Sequence, residues 1–244
     1  MSRKKIIFVI VEGPSDETAL GYALSKLCEK EQVYVHVVHY DITTKEFITP
    51  ANIVTKIGAE VKRYIENYAL KISDFKSIVH IVDTDGTFIP DESVVEDPNI
   101  KNCYYTETEI HTSAPDKIRK RNKQKKENLF RLIGTGNILT IPYRIYYMSC
   151  NLDHVLYNKQ NSTDNEKEND SYDFANKYKN DLEGFIKYIC ESDFSVNLPF
   201  KESWEYIEEQ LHSLERHSNI NIFIKDGALT NYTTFMSNPH KTHI

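Results

Sequence analysis

Residues 77–87 have the sequence Ser-Ile-Val-His-Ile-Val-Asp-Thr-Asp-Gly-Thr, an apolar run that ends in two carboxylates and a glycine. The apolar part is typical of a buried β-strand, and side chains two apart on an extended chain point to the same side. Asp83 and Asp85 can therefore converge just beyond the strand. Such a pair favours a hard divalent cation such as Mg²⁺ or Mn²⁺, although a capped turn with two solvated acids explains the same composition equally well.

A second stretch of the same kind lies near the N-terminus. Residues 5–11 form a continuous apolar run, followed by Glu12-Gly13-Pro14-Ser15-Asp16-Glu17. Apolar residues at helical spacing come next, at Leu20, Ala23, Leu24 and Leu27. In an open parallel sheet, ligands collect outside the carboxyl ends of the strands. We therefore expect Glu12 to meet Asp83 and Asp85 in one acidic site.

Strand and helix patterns alternate between these two stretches. Residues 33–40 are β-branched and aromatic, which favours a strand. Thr49-Pro50 is a helix start signal, and the apolar face of that helix contains Ile53, Ile57, Val61, Tyr64, Ile65 and Tyr68. The resulting β-α-β-α-β order predicts an α/β fold, with a mostly parallel sheet flanked by helices.

The two acidic stretches, taken in order, resemble the Toprim domain, in which one strand ends in Glu-Gly-x-x-Asp and a later strand ends in Asp-x-Asp. Toprim domains occur in topoisomerases, bacterial primases, recombination proteins and nucleases of the overcoming-lysogenisation-defect type. The residues that fit are Glu12, Gly13, Asp16, Asp83 and Asp85. The resemblance covers about residues 5–160 and implies a Toprim-like, Rossmann-like catalytic domain in residues 1–157.

The same resemblance implies a Mg²⁺- or Mn²⁺-dependent nuclease that cleaves phosphodiester bonds of DNA or RNA. Its catalytic residues would be Glu12, Asp83 and Asp85, with Glu12 the best candidate for proton transfer. The metal ligands that it implies are Glu12, Asp16, Asp83, Asp85 and Asp153. For Asp153 the match is weaker, because an acid at the start of a helix also interacts well with the helix dipole.

Among Toprim proteins, length and cysteine spacing favour the nucleases. Topoisomerases add a domain with a catalytic tyrosine and primases add a zinc module, and this chain of 244 residues with scattered cysteines fits neither. Stand-alone Toprim proteins of this size resemble effectors of bacterial anti-phage systems that work beside an ATPase, which implies an ATPase protein partner. A homo-oligomer and a non-catalytic, partner-binding Toprim module both stay open.

A second family shares one of the motifs. The stretch Asp83 to Thr87 also resembles haloacid dehalogenase phosphatases, in which the first Asp is the nucleophile and the second is the general acid. Those enzymes need a later lysine and an acidic pair, and the best candidates here are Lys225 and the single Asp226. The phosphatase interpretation also gives no role to residues 12–16, so we rank it second.

Composition indicates a soluble globular class and a reducing compartment. No apolar run is long enough for a membrane span, so we expect a cytoplasmic protein without a membrane partner. Wide spacing argues against a zinc site formed by cysteines, which stand at Cys28, Cys103, Cys150 and Cys190.

Positive charge is concentrated in one predicted helix, which begins at Pro115 and ends at Ile133. The net charge of the chain is −6, but the segment 117–126 contains no acid. Its basic residues are Lys117, Arg119, Lys120, Arg121, Lys123, Lys125 and Lys126. Clustered cations of this kind bind nucleic-acid phosphates, while a solvated helix face and an acidic protein partner are the alternatives.

The C-terminal part is predicted to be a mainly helical extension. Residues 143–148 have the pattern of a further strand, ahead of Asp153. Residues 158–173 are polar, which predicts a linker, and residues 174–244 contain two amphipathic patterns. Residues 220–224 are predicted to form a closing strand.

Overall fold

The structure is a computed structural model that describes residues 4–28, 32–38 and 41–226. Eight strands lie within these residues: β1 (Ile6–Val11), β2 (Gln32–Val37), β3 (Phe75–Asp83), β4 (Val94–Glu96), β5 (Tyr104–Tyr105), β6 (Ile110–Thr112), β7 (Asn137–Ile138) and β8 (Ile141–Met148). The helices of the same residues are α1 (Pro14–Leu27), α2 (Ile53–Asn67), α3 (Pro115–Ile133), α4 (Leu152–Tyr157), α5 (Asp164–Tyr178), α6 (Leu182–Glu191), α7 (Phe200–Glu208) and α8 (Ile220–Asp226).

The larger sheet has the strand order β2-β1-β3-β8-β7 among the described residues. The pairs β1/β2, β1/β3 and β3/β8 are parallel, and the short strand β7 runs antiparallel to β8. The predicted α/β fold with a mostly parallel sheet flanked by helices is confirmed. The carboxyl ends of β1, β3 and β8 consequently lie side by side at one edge, which is where the acidic residues are.

Both faces of this sheet are covered. On one face Val9 and Val79 pack with apolar residues of α1, α4, α5, α6 and α8. On the other face Phe8 and Ile78 pack with apolar residues of α2, α3 and α7, including Trp204. Strands buried on both sides need apolar residues at successive positions, which explains why β1 and β3 are continuous apolar runs and not alternating ones.

A small second sheet follows β3. Its order is β4-β6-β5 among the described residues, and Ile89, Val94, Ile110 and Leu214 form an apolar cluster beneath it. The segment between residues 86 and 112 is thus partly structured. It lies between the end of β3 and the start of α3, beside the acidic residues.

The predicted linker is helical from Asp164 onward, because α5 covers most of the polar stretch. Thr163 caps this helix: its side chain accepts from the N–H of Glu166, whose carboxylate accepts from the N–H of Thr163. Phe174 and Tyr178 are buried against α1 and the sheet. The few apolar residues of α5 therefore suffice to dock it, although its composition is that of a linker.

The C-terminal region is helical in its described part, residues 174–226. The predicted closing strand at 220–224 is wrong, since these residues begin helix α8. Ile220, Phe223 and Ile224 are buried in the core, and a short apolar run does not distinguish a buried strand from a buried helix. Residues 227–244 of the predicted extension lie outside the described residues. Helices long and apolar enough to cross a membrane are absent from the described ranges.

Candidate active site

The ends of β1, β3 and β8 bring two of the predicted acids together. Glu12 directly follows β1, and Asp83 is the last residue of β3. The Asp83 N–H donates to Glu12 Oε1 at 3.3 Å. Asp83 Oδ1 accepts a hydrogen bond from the N–H of Leu152, the first residue of α4, at 3.0 Å. Adjacent parallel strands thus place both carboxylates at one point, as the sequence predicts.

A tight turn after β3 positions the third acid, Asp85. Asp85 and Gly86 have φ values of 49° and 65°, in the left-handed region that favours glycine. The Asp85 N–H donates to Cys150 O at 2.8 Å, and Arg121 Nη2 donates to Asp85 O at 2.8 Å. A Cβ at Gly86 would lie 2.6 Å from Leu214 Cδ2. The turn is therefore fixed from both sides, and its conformation requires glycine.

Lys125 lies among the acids that surround Asp85. Its side chain is fully buried. Its Nζ lies 2.8 Å from Asp41 Oδ2, 2.5 Å from Asp85 Oδ2 and 4.0 Å from Glu12 Oε1. We predicted Lys125 as a phosphate-binding residue on a basic helix, and the structure places it inside the acidic cluster. Asp41 was missed, although it follows the apolar run 33–40 and the rule that selected Glu12 could have found it.

The pKa values of these groups follow from burial and charge. Burial opposes the charged form of Lys125, but Asp41, Asp85 and Glu12 raise its pKa well above the usual value. Burial likewise opposes ionisation of Asp41, but the charge and hydrogen bond of Lys125 lower the pKa of Asp41. Lys125 and Asp41 are therefore an ion pair at neutral pH.

Glu12 and Asp83 show the opposite shift. Burial first, and then the neighbouring Asp41, raise the pKa of Glu12 well above its usual range, with Lys125 acting against them. Burial followed by the charges of Asp16 and Asp85 raises the pKa of Asp83. Burial and the neighbouring carboxylates thus both oppose ionisation of these two groups, and Lys125 offsets only part of the effect.

Asp16 and Asp153 lie beside Asp83, away from Lys125. Asp16 Oδ2 accepts the Gly13 N–H at 2.9 Å and so caps α1. Burial, the largest cause, and the charge of Asp153 raise the pKa of Asp16 to about 6. Asp153 is buried in the first turn of α4, and its Oδ2 lies 3.8 Å from Lys167 Nζ. Its Oδ1 is buried without a hydrogen-bond partner among the described residues.

The seven basic residues of α3 divide into outward and inward groups. Lys117, Lys120 and Lys123 are exposed. Lys126 is partly buried, with Nζ 5.8 Å from the centroid of the Phe88 ring. The remaining side chains turn inward. Arg119 donates to the backbone oxygens of Asp91 and Val94, and Arg121 Nη1 donates to Tyr105 Oη. The exposed stripe is therefore narrower than the sequence suggests.

The donor chemistry of the site suits a hard divalent cation, because its acids supply oxygen ligands alone. Within the described ranges, groups of three or more His, Cys, Asp or Glu side chains arranged to hold a metal are absent. One reason for this absence is that the Asp85 carboxylate already faces the Lys125 ammonium. The unpartnered Oδ1 of Asp153 is the oxygen that best fits a metal ligand.

Comparison with known proteins adds no family to this description. The chain matches no family model, no curated protein and no solved structure. The chemistry of the site therefore has to be argued from its own residues. Lys225, which the phosphatase interpretation needs beside the acids, donates to Asn197 Oδ1.

Proposed function

We propose that the protein is a Toprim-like, Mg²⁺- or Mn²⁺-dependent nuclease that cleaves phosphodiester bonds of DNA or RNA. One observation carries the proposal: Glu12, Asp83 and Asp85 meet at the ends of neighbouring parallel strands. Ligands of open parallel sheets bind at this edge. A fold supports many activities, so the proposal rests on these carboxylates and not on the sheet.

Each residue has a distinct part in the proposed reaction. A divalent cation, when bound, polarises the scissile phosphate and stabilises the charge of the attacking and leaving oxygens. Asp83, Asp16 and Asp153 are the residues that we assign to holding it, with Glu12 and Asp85 beside them. Glu12 is also the residue that we assign to accepting a proton from the attacking water, because its carboxylate lies at the centre of the cluster.

The exposed part of α3 supports a nucleic-acid substrate. Lys117, Lys120 and Lys123 are exposed at intervals of three residues on the helix that carries Lys125 into the site. Cations on one helix face contact successive phosphates without regard to sequence. We further propose, from the resemblance alone, that an ATPase protein assists this chain in a bacterial anti-phage system.

Cleavage assays with matched variants test the proposal. Purified protein is incubated with labelled plasmid DNA and transfer RNA in Mg²⁺ or Mn²⁺, beside Glu12→Gln and Asp83→Asn. We expect cleavage of at least one polymer and a loss of about 100-fold or more in both variants. The control is Glu202→Gln, an exposed acid on α7 that is outside both the acidic cluster and the basic helix, and it should cut like the wild type.

Other results would redirect the interpretation. Hydrolysis of a small phosphomonoester that depends on Asp83 but not on Glu12 would favour the phosphatase. Inactivity on every substrate, with nucleic-acid binding retained, would favour a binding module. Cleavage that survives both Glu12→Gln and Asp83→Asn would refute the proposed site.

A further inference from the structure

The acidic cluster has two halves with different charge balance. In the first half, Asp41 and Asp85 each lie within hydrogen-bond distance of Lys125 Nζ. In the second half, Asp83 Oδ1 accepts a hydrogen bond from the N–H of Leu152 at 3.0 Å, which places Asp83 beside Asp153 at the start of α4. The charges of Asp16 and Asp153 are both close enough to raise the pKa of Asp83. Glu12 lies between the halves, 4.0 Å from Lys125 Nζ and in contact with the Asp83 N–H.

The first half already contains its cation. The Lys125 side chain is fully buried and forms hydrogen bonds through Nζ to Asp41 at 2.8 Å and to Asp85 at 2.5 Å. An ammonium group has three donors, and the third nearby acid is Glu12. The lysine stem belongs to α3, which packs against β8 and α2. Nζ is therefore held where a metal ion bridging Asp41 and Asp85 would have to lie.

The second half lacks an equivalent cation among the described residues. The nearest ammonium to Asp153 that forms an ion pair is Lys167, at 3.8 Å and partly exposed on α5. Asp153 is 5% exposed, and its Oδ1 has no hydrogen-bond partner in the described part of the chain. A buried carboxylate oxygen without a partner is costly, so a ligand at this point would relieve it.

We propose that Lys125 Nζ takes the place of a second metal ion, so that this centre binds one divalent cation, on the side of Asp83, Asp16 and Asp153. The inference rests on the proposed function in one respect, namely that the centre binds a divalent cation at all. It assigns Asp41, which was not among the predicted site residues, to holding the lysine. A fixed ammonium supplies positive charge without exchanging with solvent, whereas a metal ion must be recruited.

Counting bound Mn²⁺ tests this inference without any substrate. Electron paramagnetic resonance titration measures free Mn²⁺, so the number of tight sites per chain follows directly. We expect one site in the wild type and one in Lys123→Met, the matched exposed control on the same helix. Lys125→Met should bind two ions, because Asp41 and Asp85 are then open to a metal. Lys125→Met combined with Asp41→Asn should return to one.

The outcomes separate the inference from the proposed function. Two tight sites in the wild type would overturn the inference and leave a metal-dependent nuclease intact. A count of zero would overturn both. One site in folded Lys125→Met would also overturn the inference. If Lys125→Met does not fold, the wild-type count decides, together with Asp153→Asn, for which we expect the affinity of the single site to fall about 10- to 100-fold.

Discussion

Replacement of Lys125 by methionine should destabilise the folded protein by about 3–5 kcal/mol at pH 7 in the absence of metal. The wild-type ammonium lies within hydrogen-bond distance of Asp41 and Asp85 and near Glu12. Methionine fills a similar volume, so the loss comes chiefly from the charge. Removal of one partner from a buried ion pair leaves the other charge uncompensated, which costs more than the pair itself contributes.

The pH dependence of this deficit has a definite sign. In the wild type, Lys125 lowers the pKa of Asp41 below its usual 3.8, so this pair contributes stability above pH 3.8 and loses it as the pH falls through the folded pKa. In the variant, burial opposes ionisation of Asp41 without an ammonium to offset it, so protonation of Asp41 relieves the folded state as the pH falls. The difference between the two proteins should therefore shrink as the pH falls toward 4.

Urea denaturation in EDTA measures the effect. The buried Trp204 is the one tryptophan of the chain, so its fluorescence reports unfolding beside circular dichroism. Lys123→Met, exposed and two residues away on the same helix, should stay within about 0.5 kcal/mol of the wild type. If Lys125→Met were no less stable than Lys123→Met, the charge balance described for the cluster would be refuted.

Three further predictions concern the turn, the core and the basic helix. Gly86→Ala should lower the free energy of unfolding by about 2–4 kcal/mol, because a Cβ there would meet Leu214 and the positive φ disfavours alanine. A loss under 1 kcal/mol in urea denaturation would contradict this. His80 is fully buried with its pKa lowered to about 3, burial being the main cause. The unfolded state therefore binds the proton first, and His80 should remove about 2 kcal/mol of stability between pH 8 and pH 5. His80→Gln, measured by urea denaturation over the same pH range, should not show this loss of stability. Finally, the exposed lysines of α3 can be replaced together by Gln, at Lys117, Lys120 and Lys123. The slope of the logarithm of the duplex-DNA binding constant against the logarithm of the salt concentration, measured by fluorescence anisotropy, should become shallower by about 2–3. An unchanged slope would exclude these lysines as phosphate contacts.

Much of the fold follows from local pattern. The apolar runs of β1 and β3 are long and continuous, and α3 begins at Pro115 and ends at Ile133 as its start and stop signals predict. The meeting of Glu12 with Asp83 follows from one rule about parallel strands. These features need no knowledge of distant contacts, which is why sequence alone suffices for them.

The inner arrangement of the site could not be predicted in the same way. Lys125 and Asp41 are 84 positions apart in the chain, and the density of charge around Lys125 does not by itself show which lysine turns inward. Helix periodicity would have helped, because Lys125 shares a face with Ile118 and Leu129, which are buried. For α8, a short apolar run was ambiguous, and only packing against the core decides its conformation.

The order in which the acids occur along the chain has a consequence for biosynthesis. The cluster combines residues from the ends of β1, β3 and the β8–α4 connection, so its outermost members, Glu12 and Asp153, come from opposite ends of the sheet-forming region. The face behind it is closed by Phe223 and Ile224 of α8. Because contacts this distant in sequence form slowly, a nascent chain on the ribosome carries separate acids without an assembled centre. The centre is complete only after Asp153 has been synthesised and its helix has packed beside the ends of β1 and β3.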